Sequence, residues 1–178
     1  MFLFGHLGIG SRIVSPLSKG LPYRFVLFGT VLPDLMDKVL YYSLSFVTGK
    51  KGIEMGLISG TRTFGHTAAL TLMIALLAFV RKSRALAALV LGFASHLVLD
   101  QLSEVFMKKG AATGLQALLW PLRGFSFPVM PYENLQDQLS SGIQPWILAA
   151  EAAGVLLLLL DYRTMRAAGF GRSPHKIQ

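Results

Sequence analysis

Three of the four histidines lie in short polar islands inside apolar sequence: His6 in GHLGIG, His66 in TRTFGHT and His96 in ASHLVLDQ. A fourth island, LPDLMD, carries Asp34 and Asp37. Ionisable side chains at a lipid boundary are costly unless partnered, and imidazoles and carboxylates can share one partner, a divalent metal ion. His96 and Asp100 are four residues apart and so lie on one face of a helix. At that spacing one zinc-like ion can take both, or the carboxylate can bridge two ions. Glu104 continues the stripe at the next turn. A lone HxxxD is frequent by chance; the weight here comes from His66, His6 and Asp34 as further candidates.

Each residue also has a plain reading. His96 could be hydrogen-bonded within a bundle, Asp100 solvated at a helix end, His66 capping a helix beside Gly65, and His6 exposed near the N-terminus. Asp34 follows Pro33 and could be an N-cap. Asp37 could pair with Lys38, Glu104 could be solvated, and His175 reads as a tail residue. Arg62, four residues before His66, is the main candidate for holding a phosphate, because its planar fork binds phosphate oxygens two at a time. An interfacial arginine at a helix start is the competing reading. Arg123 is a second, weaker candidate of the same kind. Glu151 interrupts the last apolar run, either closing a polar network or serving the site.

The elements that must position these groups are apolar. The 178 residues amount to a single domain, 1–178, with 53% apolar content and a mean hydropathy of +0.54, above the usual soluble range. Apolar runs at Thr67–Val80, Ala85–Leu99 and Trp146–Leu160 approach the ~20 residues that span a bilayer once extended to 64–80, 85–105 and 144–162. A multi-pass membrane protein is therefore expected over a soluble helical bundle. MFLFGHLGIGSR has neither a basic n-region nor a small-residue cleavage site, so no removable signal is expected. With no cysteine, thiolate metal sites and disulfides are excluded. The net charge of +8 resides largely in helix-flanking turns, a pattern of membrane orientation rather than of nucleic-acid binding.

Five helical segments are predicted: one over about 3–14, one from Pro22 interrupted or ended near Pro33, a hairpin of two long helices around Arg81-Lys82-Ser83-Arg84, and one from Pro145 to Asp161. A connection over 48–63 and a Pro/Gly-punctuated loop over about 108–144 join them. Trp120 and Trp146 read as interfacial anchors. Folding the hairpin about Ser83 brings position 66 level with 100, and folding the first two segments about Gly20 brings 6 level with 34. Both hairpins then carry ionisable residues at the open end and basic residues at the turn, ~24 Å apart in the longer one. The positive-inside rule makes the basic turns cytoplasmic and points the polar cluster outward, although Lys50, Lys51, Lys108 and Lys109 lie on the other side.

The ordered set GHLGIG, LPDLMDK, RTFGHT, G-x-x-SHLVLD and LWPL resembles the YdjM-type membrane-bound metal-dependent hydrolases, over residues 5 to 131. That family is similar in turn to the zinc phospholipase C and single-strand nuclease superfamily, helical proteins with His/Asp metal clusters. The resemblance implies His6, Asp34, His66, His96 and Asp100 as metal ligands, Asp100 bridging, in a prokaryotic inner-membrane protein. Many relatives read PDxDH, where this chain has Asp37 then Lys38, and many carry histidine where Thr61 stands. An HxxxE pair for a third ion is not evident, so one or two ions, zinc or manganese, are expected.

The resulting expectation is an all-α polytopic transmembrane bundle with a zinc phospholipase C-like helix core and a metal site at the outer boundary. It would be a hydrolase of a phosphoester or lipid-linked phosphate, with Asp37 or Glu104 as general base, Arg62 and Arg123 holding substrate, membrane lipids as partners and no nucleic acid. The alternative is a non-enzymatic membrane protein whose metal is structural or sensory.

Overall fold

The computed structural model describes residues 3–107, 112–129 and 143–167. Among them every regular element is helical. Lys108, Lys109, His175 and much of the loop over 108–144 lie outside the described residues.

Helix α1 is continuous but not uniform: an α turn (Leu3–Gly5), a π-helical stretch (His6–Gly10) and a second α turn (Ser11–Val14). The π stretch begins at His6; such widened turns are rare and concentrate at functional sites. Helix α2 covers Tyr23–Thr48 and ends at Gly49 in the left-handed conformation. It does not stop at Pro33, as expected from the sequence. A proline removes one amide donor, and here its residue is buried inside a long helix whose other turns continue the ladder. Two 3-10 segments follow, Gly52–Ile58 and Phe64–His66. Helices α3 (Ala68–Val80), α4 (Arg84–Met107), α5 (Ala112–Leu118) and α6 (Pro145–Ala167) complete the order.

Among the described residues two helices are long and apolar enough to cross a membrane, over Arg84–Val105 and Pro145–Arg163. The span expected over 64–80 is not among them. Its first residues form the 3-10 turn, Thr67 caps the helix by accepting from Leu70 N–H, and the remaining 13 residues reach about 20 Å. Its apolar side chains are nevertheless open, with Leu72, Leu76 and Phe79 all more than 60% exposed. The last helix runs six residues past the expected end at Asp161.

Two glycine-to-glycine crossings set the packing. A Cβ on Gly29 would collide with Leu89 O and crowd Gly92 Cα, and one on Gly92 would collide with Val26 O. Helices α2 and α4 therefore meet backbone to backbone, the close approach that small residues allow between apolar helices. At the second crossing Gly8 of α1 meets Gly154 of α6 in the same way. One turn before Gly154, the Glu151 carboxylate accepts the amides of Phe4 (2.8 Å) and Gly5 (3.1 Å), two donors that a helix start leaves without partners.

At the other end, Arg84 donates to the carbonyl of Gly20, so the two basic turns are neighbours. Arg12 and Tyr23 both bond Asp161 there, at 2.5 and 3.1 Å. Trp120, predicted as an interfacial anchor, instead packs among Phe64 and Phe127, with ring centroids at 5.5 and 5.2 Å. Trp146 donates its indole N–H to Gln144 at 2.7 Å.

Candidate metal centre

The crossing of α2 and α4 fixes the first ligand candidate. One turn after Gly92, His96 is fully buried, and its Nδ1 donates to the carbonyl of Thr30, the residue after Gly29, at 2.7 Å. That bond leaves Nε2 with its lone pair facing inward. His66 is oriented similarly. Its Nδ1 donates to Asp37 Oδ2 at 2.7 Å, and its Nε2 lies 3.4 Å from His96 Nε2, 3.4 Å from Asp100 Oδ2 and 3.6 Å from Asp34 Oδ1. His6, carried by the π turn, stacks on His96 with centroids 4.0 Å apart and brings Nε2 to 3.3 Å from Asp100 Oδ1.

All five residues predicted as ligands thus converge, in two overlapping groups: His6, His96 and Asp100, and Asp34, His66 and His96. Within each group the candidate ligand atoms lie inside 4.8 Å of one another. A tetrahedral ion with bonds of about 2.0–2.2 Å holds its ligand atoms about 3.3–3.6 Å apart, close to the separations seen here. Among the described residues His6, 2% exposed, has the Asp100 carboxylate 3.3 Å from Nε2, and its Nδ1 makes no hydrogen bond. A buried ring nitrogen without a hydrogen bond is costly, and a metal ion is one partner that could satisfy it. These buried His/Asp groups could hold a metal ion.

A model of the YdjM inner membrane protein family matches residues 1–168. The chain belongs to that family. Neither a curated protein nor a solved structure matches it.

Around the cluster, this YdjM-family chain arranges Asp37, Glu104, Arg62 and Lys38. Asp37, predicted as a base, is buried and accepts from Thr63 N (2.6 Å), Thr63 Oγ1 (2.7 Å), Gly65 N (2.8 Å) and His66 Nδ1. A Cβ on Gly65 would crowd this carboxylate at 3.1 Å. Glu104, the other candidate base, accepts from Arg62 and from Gly114 N (2.8 Å). Arg62, predicted as a phosphate anchor, bridges Glu104 and Asp100, with Nη2 3.1 Å from Asp100 Oδ2. Arg123 is exposed in the turn after α5, its backbone amide bonded to Leu119 O at 3.2 Å. Lys38 pairs with Asp34 at 2.7 Å.

Four carboxylates (Asp34, Asp37, Asp100, Glu104) against two cations (Lys38, Arg62) leave two negative charges when the histidines are neutral. One divalent ion balances that deficit. Without it, a proton on His66 is the partial substitute. Burial lowers the pKa of His66, but hydrogen bonds to Asp100 and Asp37 and the charges of Asp100 and Asp34 outweigh burial and push it up to about 9.

Sequence reading did not find Lys38 as a cluster member or Glu151 as the residue fixing α1. Lys38 stood next to Asp37 in the chain, but the i, i+4 spacing from Asp34 was the available signal. For Glu151 no sequence signal names the partner, which lies 147 residues away.

Proposed function

We propose that the chain is a polytopic inner-membrane hydrolase that uses a divalent ion such as zinc to cleave a phosphoester or lipid-linked phosphate at the outer membrane surface. The observation that supports this reading is the convergence of the His6, His66 and His96 rings with the Asp34 and Asp100 carboxylates in two overlapping groups. His96 belongs to both ligand groups and offers one lone pair, because Nδ1 is occupied by Thr30 O. A single ion drawing on both groups fits this better than two, and it matches the charge deficit.

An ion at this position supplies a Lewis acid for a phosphoryl oxygen and acidifies water to near neutral pH. The chain's own residues do the rest. Asp37 and Glu104 are held by donors on several sides, so we assign them positioning roles: Asp37 orients His66, and Glu104 holds Arg62 against Asp100. A pocket of about 410 Å³ opens onto His6, Asp34 and His96 and gives a substrate access to the cluster. The outward orientation rests on the basic turns, joined through Arg84 and Gly20 near the starts of α2 and α4, with Asp34 and Asp100 about 16 and 24 Å further along those helices.

The deep burial of His96 (0%) and Asp100 (5%) favours a second reading, a closed structural or sensory metal. Elemental analysis of detergent-purified wild type beside His96→Ala/Asp100→Ala tests the site. About one equivalent of metal, lost in the variant, is expected. X-ray absorption then separates the two readings: four protein ligands make the site structural, and an open position keeps hydrolysis. Wild type and variant that are equally inactive on phosphodiesters and lipid phosphates would overturn the hydrolase reading.

A further inference from the structure

We propose that the pocket between α1 and α2 binds the hydrocarbon chain of an anionic membrane lipid, and that Lys38 selects the anionic head. Val31, Leu35, Lys38 and Val39 line it from α2 and Leu3 from α1. Positions 31, 35, 38 and 39 fall on one face of a helix, so a single surface of α2 presents an apolar strip beside one ammonium. The opposite face, with Pro33 and Asp37, is buried against the 3-10 turn. The apolar strip is thus separate from Asp37, which orients His66, while Thr30, whose carbonyl holds His96, lines the pocket's inner end.

The rim identifies the occupant. Leu3 (52%), Leu35 (49%) and Val39 (54%) are half open, and α2 packs backbone to backbone on the candidate span α4, which would set such side chains beside lipid chains. A lipid chain can enter sideways along them. At the inner end stand His6, Asp34 and His96, with Lys38 beside them, 38% exposed and donating to Asp34. An ammonium has three donors and the Asp34 bond uses one. A phosphate head seated there meets a cation on one side and the metal cluster on the other. A zwitterionic head would bring its own cation against Lys38. Arg62, held between two carboxylates, is less suited to this task.

The inference rests on the proposed reading for the head group's position at the cluster, so the test uses ligands that are not turned over. Hexadecylphosphonate, whose P–C bond resists hydrolysis, and hexadecylphosphocholine share a chain and differ in head charge. Their binding to purified protein in maltoside micelles is measured for wild type, Lys38→Gln, Lys38→Arg, Val39→Trp and, as a control on the open face of α3, Leu76→Trp. Wild type is expected to prefer the phosphonate by about tenfold, a preference that Lys38→Gln abolishes and Lys38→Arg keeps. Val39→Trp weakens both ligands by about tenfold or more, and Leu76→Trp changes neither. An undiminished preference in Lys38→Gln overturns the role of Lys38, and unchanged binding in Val39→Trp overturns the pocket. Phosphonate binding as described, in a protein that neither retains metal nor hydrolyses phosphoesters, sinks the hydrolase reading and leaves the lipid site standing.

Discussion

His66 Nδ1 lies 2.7 Å from Asp37 Oδ2, and this bond aims the opposite ring nitrogen at Asp34, Asp100 and His96. Asp37 is in turn fixed by the amides of Thr63 and Gly65 and the Thr63 hydroxyl. A carboxylate behind a ligating histidine sets its tautomer and raises its basicity. The 3-10 turn at Phe64–His66 and helix α2 are therefore locked through one side chain.

Asp37→Asn is expected to weaken metal affinity by about 10–100-fold while helix content stays at the wild-type level. Competition with a chromophoric chelator measures the first and circular dichroism the second. Wild-type affinity in this variant would remove Asp37 from the site.

The Gly29–Gly92 crossing should be as sensitive as the ligands themselves. Gly92→Val inserts a branched side chain where the α2 backbone lies, costing about 1–3 kcal/mol or more if the helices separate. Thermal unfolding in detergent should show the loss, and metal content should fall with it, since His96 and Thr30 are set by this contact. A stable, metal-replete Gly92→Val protein would contradict the account of how the site is positioned.

What could be read from the sequence divides along physical lines. That His6, Asp34, His66, His96 and Asp100 lie near one another was legible in part from two hairpins about basic turns and from helix spacing, while their reading as ligands came from the family resemblance. The behaviour of α2 at Pro33 was not, because whether proline ends a helix or sits inside it depends on tertiary packing. The start of α3 moved from residue 64 to Ala68 because Thr67 caps there, after Asp37 has bound the preceding backbone. Arg62, Glu104 and Asp37 were singled out by type and spacing, and the structure places all three against the candidate cluster. Their partners were not legible, since an arginine at a helix start can face a phosphate or two carboxylates with the same sequence around it.

Arg62→Met tests that last distinction. It leaves Asp100 and Glu104, both buried, without their cation, and the metal-free protein should lose about 3 kcal/mol of stability. Added metal should restore more stability to the variant than to wild type, because the ion then meets more uncompensated charge. Unchanged stability together with a raised KM for a phosphoester would instead make Arg62 a substrate anchor.

Glu151 holds the start of α1 from a distance, and with it the turn that carries His6. Glu151→Ala should cost about 1–2 kcal/mol, as loss of other N-terminal caps does, and lower metal affinity. Glu151→Gln retains one acceptor oxygen and should fall between. Unfolding curves and chelator competition, run on the same preparations, check both effects; a stability loss with metal affinity intact would confine Glu151 to packing.

Metal uptake should depend on pH through His66. In the metal-free protein its pKa is raised to about 9, so the proton contributes stability that is fully present below the ordinary histidine range and is lost as pH rises through about 9. An ion needs the Nε2 lone pair and must displace that proton. Apparent affinity should therefore increase by about tenfold per pH unit across the neutral range and level off above about 9. Calorimetry in two buffers of different ionisation enthalpy should report about one proton released per ion bound at pH 7.5. A pH-independent affinity with no proton release would mean that His66 is not displaced from its proton, and so does not ligate the ion.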